Sequence, residues 1–193
     1  MAPTQHQTRW ALDILLLHWG MALLIVGMMV VGWIARTLPL SPLKIELFFW
    51  HKSFGVALLA LTLLRLARRL RHPHPGWPVA MPRWERRAAR AVHGLLYTLM
   101  FVTPLSGWVI NSAAKFPFKV FGVWTLPAIV AADKSIQHLA EQVHMGCFIL
   151  FFSTLLLHIA AALRHHFILH DTVLRRMLPE GFTTMTQNKN LDT

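Results

Sequence analysis

The sequence predicts an all-α integral membrane protein, a four-helix bundle with both termini in the cytoplasm. Of its 193 residues, 55% are hydrophobic and only 14% are charged, and the mean hydropathy is +0.47. Several apolar runs reach the roughly 20 residues that a helix needs to cross a hydrocarbon core ~30 Å thick. Arginines collect in one loop between these runs, which is the usual sign of a cytoplasmic loop. Together these features place the chain among multi-pass membrane proteins.

The predicted spans cover residues 10–35, 47–66, 88–111 and 136–163. The first is too long for the hydrophobic part of a signal peptide and GWIAR is a poor cleavage site, so we expect it to be retained. Pro39 and Pro42 mark a short turn after it. Pro104 lies within the third span, where a proline predicts a kink that membrane helices tolerate.

The remaining segments connect or extend these spans. Residues 111–133 mix aromatic and turn-forming residues and are predicted to lie along the membrane interface. Residues 1–180 are expected to form one transmembrane domain. Residues 181–193 are polar and are predicted to be a disordered tail.

The orientation follows from the basic residues. The loop between spans two and three carries eight arginines, from Arg65 to Arg90, so this loop and both termini are assigned to the cytoplasm. The net charge of +11 is explained by topology signals and anionic lipid headgroups, and we expect no nucleic-acid partner. The single cysteine excludes an internal disulfide, and no Cys-x-x-Cys-His motif is present for covalent haem attachment.

The twelve histidines are separated by their depth in the membrane. Five are predicted to be at the surface: His6, His72, His74, His138 and His170. His144 and His158 are fourteen residues apart, which places both on one face of span four and ~21 Å apart along its axis. His165 shares that face one heptad later and is predicted to be an interfacial histidine.

Depth also pairs four of the buried histidines. His18 and His158 fall in the inner halves of their spans, whereas His51 and His144 begin spans that enter from outside. Two stacked haems with paired histidine ligands would explain this distribution. Glycines near these histidines, Gly20, Gly55 and Gly146, would leave room for a flat macrocycle, although glycine is common in membrane helices.

Buried histidines could also serve in a zinc site or in a proton relay. A zinc site would need more ligands, because each level supplies two histidines and the inner level has no acidic or thiol ligand. A proton relay is conceivable, but Asp13, an acidic residue within a span, lies near the end of that span.

The sequence resembles the bacterial cytochrome b561 family, within the four-helix di-haem b cytochromes that include hydrogenase and formate dehydrogenase subunits. The resemblance covers about residues 8–179. It rests on LLLHWG at 15–20, FFWHKSFG at 48–55, the pair at 144 and 158, and HHFILHDTVLRRMLP at 165–179. It implies two non-covalent b haems whose irons are bound axially by His18 and His158 on the inner side and by His51 and His144 on the outer side.

The resemblance also implies a multi-pass protein of the bacterial inner membrane that passes electrons between a periplasmic partner and membrane quinone, here ubiquinone. His93 begins span three, where the family tends to carry a histidine, and it could bond a quinone carbonyl or shuttle protons. Haem propionates would need cationic or polar anchors. The candidates are Arg9, Arg65 and Arg164 on the inner side, and Lys52 and Lys115 on the outer side.

The predicted outer face is still basic, with Lys115, Lys119 and Lys134. Such a face would attract an anionic donor, either superoxide or an acidic periplasmic protein. The chain is therefore expected to be a quinone-linked oxidoreductase, of superoxide:ubiquinone type if that donor is correct. The alternative function is an anchor subunit that passes electrons between a soluble dehydrogenase or hydrogenase and quinone. A third class, a haem-free transporter or structural protein, would lack a Soret band.

Overall fold

The computed structural model describes residues 10–72, 76–77 and 81–178. Four long helices dominate it: α1 (Leu12–Thr37), α2 (Pro42–Arg71), α3 (Arg83–Ala113) and α4 (Lys134–Phe167). Each is long and apolar enough to cross a membrane. The predicted propionate anchor Arg9, the surface histidines His6 and His74, and the predicted tail 181–193 lie outside the described residues.

The helices extend beyond the apolar spans that the sequence predicts. Helix α2 begins at Pro42 behind Ser41, whose side chain accepts the backbone N–H of Lys44 at 3.3 Å. It ends in a turn that carries Arg68, Arg69 and Arg71, where cations are stabilised by the helix dipole. Helix α4 likewise begins at an aspartate cap, Asp133. Polar and charged flanks therefore add helical turns at the membrane surface.

The connection between α3 and α4 contains a small β-hairpin that the sequence analysis did not predict. Strand β1 (Lys119–Val120) pairs antiparallel with β2 (Trp124–Thr125). Three residues, 121 to 123, connect the paired Val120 and Trp124, and Phe121 and Gly122 have positive φ of 50° and 75°. The backbone N–H of Phe121 donates to Oγ of Ser53, a fully buried residue of α2, at 3.0 Å. The hairpin is thus attached to the bundle.

The four helices share one core at mid-height. It contains Met21, Ile25, Leu58, Leu99, Met100 and Phe151, which together come from all four helices. Many large apolar side chains on the outside of the bundle are exposed, such as Leu23 at 77%. Such a surface suits a lipid solvent, in which apolar side chains face hydrocarbon.

The bundle has two distinct ends. We call the end with the α2–α3 connection and its flanking arginines the arginine end, and the end with β1 and β2 the hairpin end. After α4 the chain returns over the arginine end in a short 3₁₀ helix, Arg175–Met177. There the indole N–H of Trp19 donates to the carbonyl of Met177 at 2.7 Å, so this segment is tied to α1.

Candidate functional site

Two pairs of histidines face each other inside the bundle. His51 of α2 and His144 of α4 lie at the hairpin end, with ring centroids 6.2 Å apart. His18 of α1 and His158 of α4 lie toward the arginine end, also with centroids 6.2 Å apart. The rings in each pair are steeply inclined, at 74° and 76°. Phe151, midway between the two histidines of α4, is buried in the shared core.

The spacing within each pair matches what a shared metal ion requires. An imidazole nitrogen lies ~2 Å from a bound metal ion and about 1.1 Å from its own ring centroid, so two rings on opposite sides of one ion have centroids about 6.2 Å apart. The observed 6.2 Å therefore leaves room for one ion between the rings of each pair.

The hairpin-end pair borders an apolar cavity of about 360 Å³. His51, His144, Gly32, Gly55, Phe148 and Phe151 are among its lining residues. Gly32 is needed where α1 passes the His51 ring, because a Cβ there would lie 2.7 Å from His51 Cε1. An apolar slot between two imidazoles suits a flat, largely apolar macrocycle.

His144 is held in the tautomer that a metal ligand needs. Its Nδ1 lies 3.0 Å from the carbonyl oxygen of Thr103 and 2.9 Å from Oγ of Ser106. Since a carbonyl only accepts, Nδ1 carries the proton and donates, which leaves Nε2 with a free lone pair. This pattern is typical of metal-binding histidines. Pro104 follows Thr103 directly in α3, and Oγ of Ser106 also donates to the carbonyl of Thr103 at 2.7 Å.

The Nδ1 atom of His51 is the ring nitrogen that lacks a hydrogen bond among the described residues. This atom is also buried. A buried polar atom of this kind is costly unless a partner is supplied. The cavity, the orphan nitrogen and the oriented His144 together fit a haem at the hairpin end.

The arginine-end pair is organised by Arg65. Its Nη2 lies 3.0 Å from His18 Nδ1, and its Nε donates to the hydroxyl of Tyr97 at 3.2 Å. A guanidinium only donates, so His18 Nδ1 accepts and the proton of the neutral ring lies on Nε2. Ligation through Nε2 would require Arg65 to find another acceptor.

Arg65 has the property expected of an anion anchor. Its Nη1 is buried and, among the residues the structure describes, has no hydrogen-bond partner. A haem propionate would satisfy this donor and accept the Nη2 hydrogen bond as well. The arginine end therefore also fits a haem.

His93 lies beside the arginine-end pair. Its ring centroid is 5.2 Å from that of His158. The sequence predicts His93 at the cytoplasmic start of span three, but its contact with His158 depends on how α3 packs against α4.

The other predicted anchors have varied surroundings. Arg164 Nη1 is 3.1 Å from Oε1 of Glu85, so a carboxylate already faces this guanidinium. Lys52 Nζ donates to Oδ1 of Asn111 at 3.1 Å and lies over the ring of Phe116 at 5.0 Å. Lys115 is exposed and follows the end of α3.

The structure also shows the surroundings of His138, His165 and Asp13. His138 is exposed, as expected. His165 was expected to be a plain interfacial histidine; instead it is only 8% exposed. Its Nδ1 lies 2.5 Å from Oδ2 of Asp171, because the chain after α4 folds back over it. Asp13 pairs with Arg68 at 3.2 Å, at the end of its span. Among the described residues, no group of three or more His, Cys, Asp or Glu is arranged to hold a metal ion.

Comparison with known proteins places these features in context. Residues 9–180 match the family model described as prokaryotic cytochrome b561. Cytochrome b561 homolog 2 of Escherichia coli K12 is 34% identical over 165 residues, which cover 83% of this chain and 86% of that protein. Cytochrome b561 homolog 1 of the same organism is 27% identical, and a probable superoxide oxidase, CybB, of Yersinia pestis is 28% identical. Each of these two alignments covers 67% of this chain and 73% of the relative.

Proposed function

Because the chain belongs to the prokaryotic cytochrome b561 family of membrane electron carriers, we propose that it binds two b-type haems and transfers electrons across the bacterial inner membrane. The observation that carries this proposal is the pair of histidine sites, each with ring centroids 6.2 Å apart. When bound, the haems would supply one-electron redox chemistry. The arginine end is assigned to the cytoplasm by its basic loop, as are both termini.

The protein's own residues would bind the haems, orient the ligands and exclude water. His51 and His144 would hold one haem, and His18 and His158 the other. Thr103 fixes the tautomer of His144, and Arg65 offers buried donors for a propionate. The apolar core between the pairs excludes water from the path between them. Lys52 and Lys115 remain proposed anchors at the hairpin end, and Arg164 at the arginine end.

The proposed electron acceptor is ubiquinone in the bilayer, near the arginine end. His93 lies there beside His158 and is the proposed contact for a quinone carbonyl, either directly or through a transferred proton. Reduction to the quinol consumes two electrons and two protons. A site at the arginine end would draw those protons from the cytoplasm.

The proposed donor is a small anion at the hairpin end, superoxide. A second cavity of about 760 Å³ opens there and includes Lys52, Lys119 and Phe116 in its lining. Lys52 follows His51 directly in the chain, so a positive charge lies close to the proposed haem. The similarity to a probable superoxide oxidase also supports this donor. Each superoxide would lose one electron to become dioxygen, so two would be consumed for each quinone.

A haem assay tests the proposed cofactors. Purified protein should contain about two b haems per chain in a pyridine haemochrome assay. Alanine at His51 or His144 should remove the same haem, and alanine at His18 or His158 should weaken binding of the other. A wild-type protein without a Soret band would sink the proposal. Full haem content in His144→Ala would overturn the hairpin-end site.

Rapid mixing with superoxide tests the donor. Quinone reduction should exceed that of a protein-free control, and Lys52→Gln with Lys119→Gln should slow it and weaken its dependence on ionic strength. Lys44→Gln is a matched control, because it removes one lysine charge from the same helix as Lys52 but Lys44 does not line the second cavity. Quinone reduction no faster than in the protein-free control would reject superoxide. Co-purification with a larger iron–sulfur or catalytic partner would then favour the anchor-subunit function.

A further inference from the structure

Helix α3 presents a polar partner to each histidine of α4, but the two partners differ. At the hairpin end, the carbonyl of Thr103 lies 3.0 Å from Nδ1 of His144. At the arginine end, the ring of His93 contacts the ring of His158. Thirteen residues separate His93 from Ser106, and fourteen separate His144 from His158. In an antiparallel helix pair, His93 of α3 therefore lies at the level of His158. Thr103 and Ser106 lie at the level of His144.

The separation of His93 and His158 differs from that of the proposed ligand pairs. Two imidazoles joined by one N–H···N hydrogen bond have centroids about 5 Å apart, since ~2.9 Å separates the nitrogens and each lies about 1.1 Å from its centroid. The observed 5.2 Å is close to that value. The 6.2 Å between His18 and His158 leaves more space, enough for a metal ion between the rings. His93 is therefore the ring that lies closer to His158.

His158 also needs such a partner. A histidine that binds a metal almost always donates its other ring N–H to an oriented acceptor. Among the described residues, His158 makes ring contacts with His18 and His93, and His18 is already bonded to Arg65. His93 is half-buried and receives no N–H or O–H from a described residue. One of its ring nitrogens is therefore free to accept.

We propose that His93 is a positioning residue that accepts a hydrogen bond from His158 and fixes the orientation of that ring for haem ligation. The inference rests on the proposed di-haem function. It gives His93 a role that is separate from the quinone contact proposed above. The structure shows the two rings in edge-to-face contact at 73°, so the proposed hydrogen bond requires a ring rotation that brings one nitrogen of each ring together.

The test compares His93→Leu with His93→Gln in the haem-loaded protein. Leucine removes the acceptor, and we expect haem affinity at the arginine end to fall roughly 10- to 100-fold, as is typical when the partner of a metal-binding histidine is lost. Glutamine supplies an amide oxygen and should restore most of that affinity. The readouts are haem transfer to apomyoglobin, the low-spin signals of each haem, and both midpoint potentials. The hairpin-end haem should not change.

A mirrored control comes from the other end, where Ser106→Ala should affect only the hairpin-end haem. If His93→Leu leaves the potential and affinity of the arginine-end haem unchanged but raises KM for quinone, His93 contacts substrate only and the inference is wrong. Equal losses in the leucine and glutamine variants would also overturn it. Wild-type protein without haem would instead defeat the proposed function itself.

Discussion

Alanine in place of Gly32 is expected to remove the haem at the hairpin end. The added Cβ would lie 2.7 Å from Cε1 and 3.0 Å from Nδ1 of His51, both closer than nonbonded atoms tolerate. The His51 ring belongs to the packed helix α2, so either this ring must rotate or α1 must move away. Overpacking of this kind costs about 1–3 kcal/mol, and the displaced ring would no longer face His144.

Haem content and the spectra of the two haems provide the measurement. About one haem per chain should be lost, and the arginine-end haem should keep its spectrum and potential. Gly27→Ala on the same helix is the matched control. A Cβ at Gly27 meets nothing within 4 Å, and alanine favours a helix by roughly 0.5–1 kcal/mol over glycine. Two haems with unchanged spectra in Gly32→Ala would show that His51 is not placed as described.

Leucine in place of Arg65 is expected to weaken the arginine-end haem. Arg65 bonds His18 and Tyr97 and has a further buried nitrogen without a partner among the described residues. A hydrogen bond to a charged group contributes about 1.5–3 kcal/mol, so loss of a propionate anchor should weaken haem binding roughly 10- to 100-fold.

Arg71→Leu controls for the change in charge, because Arg71 belongs to the same helix and is exposed. The two variants should be compared by haem retention in detergent and by the midpoint potential of each haem. Equal retention in Arg65→Leu and Arg71→Leu would exclude an anchoring role for Arg65. A loss that fell on both haems would point to general destabilisation of the bundle.

The family and the four-helix plan could be predicted from the sequence. Long apolar runs, proline turns and the arginine-rich loop are features of short stretches of sequence, so they can be recognised without knowledge of tertiary contacts. The match over residues 9–180 confirms the resemblance that LLLHWG, FFWHKSFG and the two histidines of span four indicated. In the structure, the rings of the four histidines lie next to each other in the predicted pairs. Haem ligation itself stays a prediction.

The surroundings of those histidines were not predictable in the same way. Glycines close in the chain to His18, His51 and His144 were expected to leave space, yet Gly32 of a different helix lies against His51. Thr103 and Ser106 gave no signal in the sequence, because serine and threonine in a membrane helix usually bond their own helix. The hairpin lacks an Asn-Gly or Asp-Gly turn, so no local sequence pattern predicted it. His165 is buried only because the following segment folds back to Asp171.

By itself, the sequence determined the number of spans and the depth of each buried histidine in the membrane. Both follow from hydrophobic length and residue position, which are properties of a single helix. Only the tertiary structure decided which groups surround each ring. Helix rotation and packing set those contacts, and they vary on a scale of a few ångströms that periodicity does not resolve. For that reason the roles of Gly32, Arg65 and His93 emerge from the packed bundle.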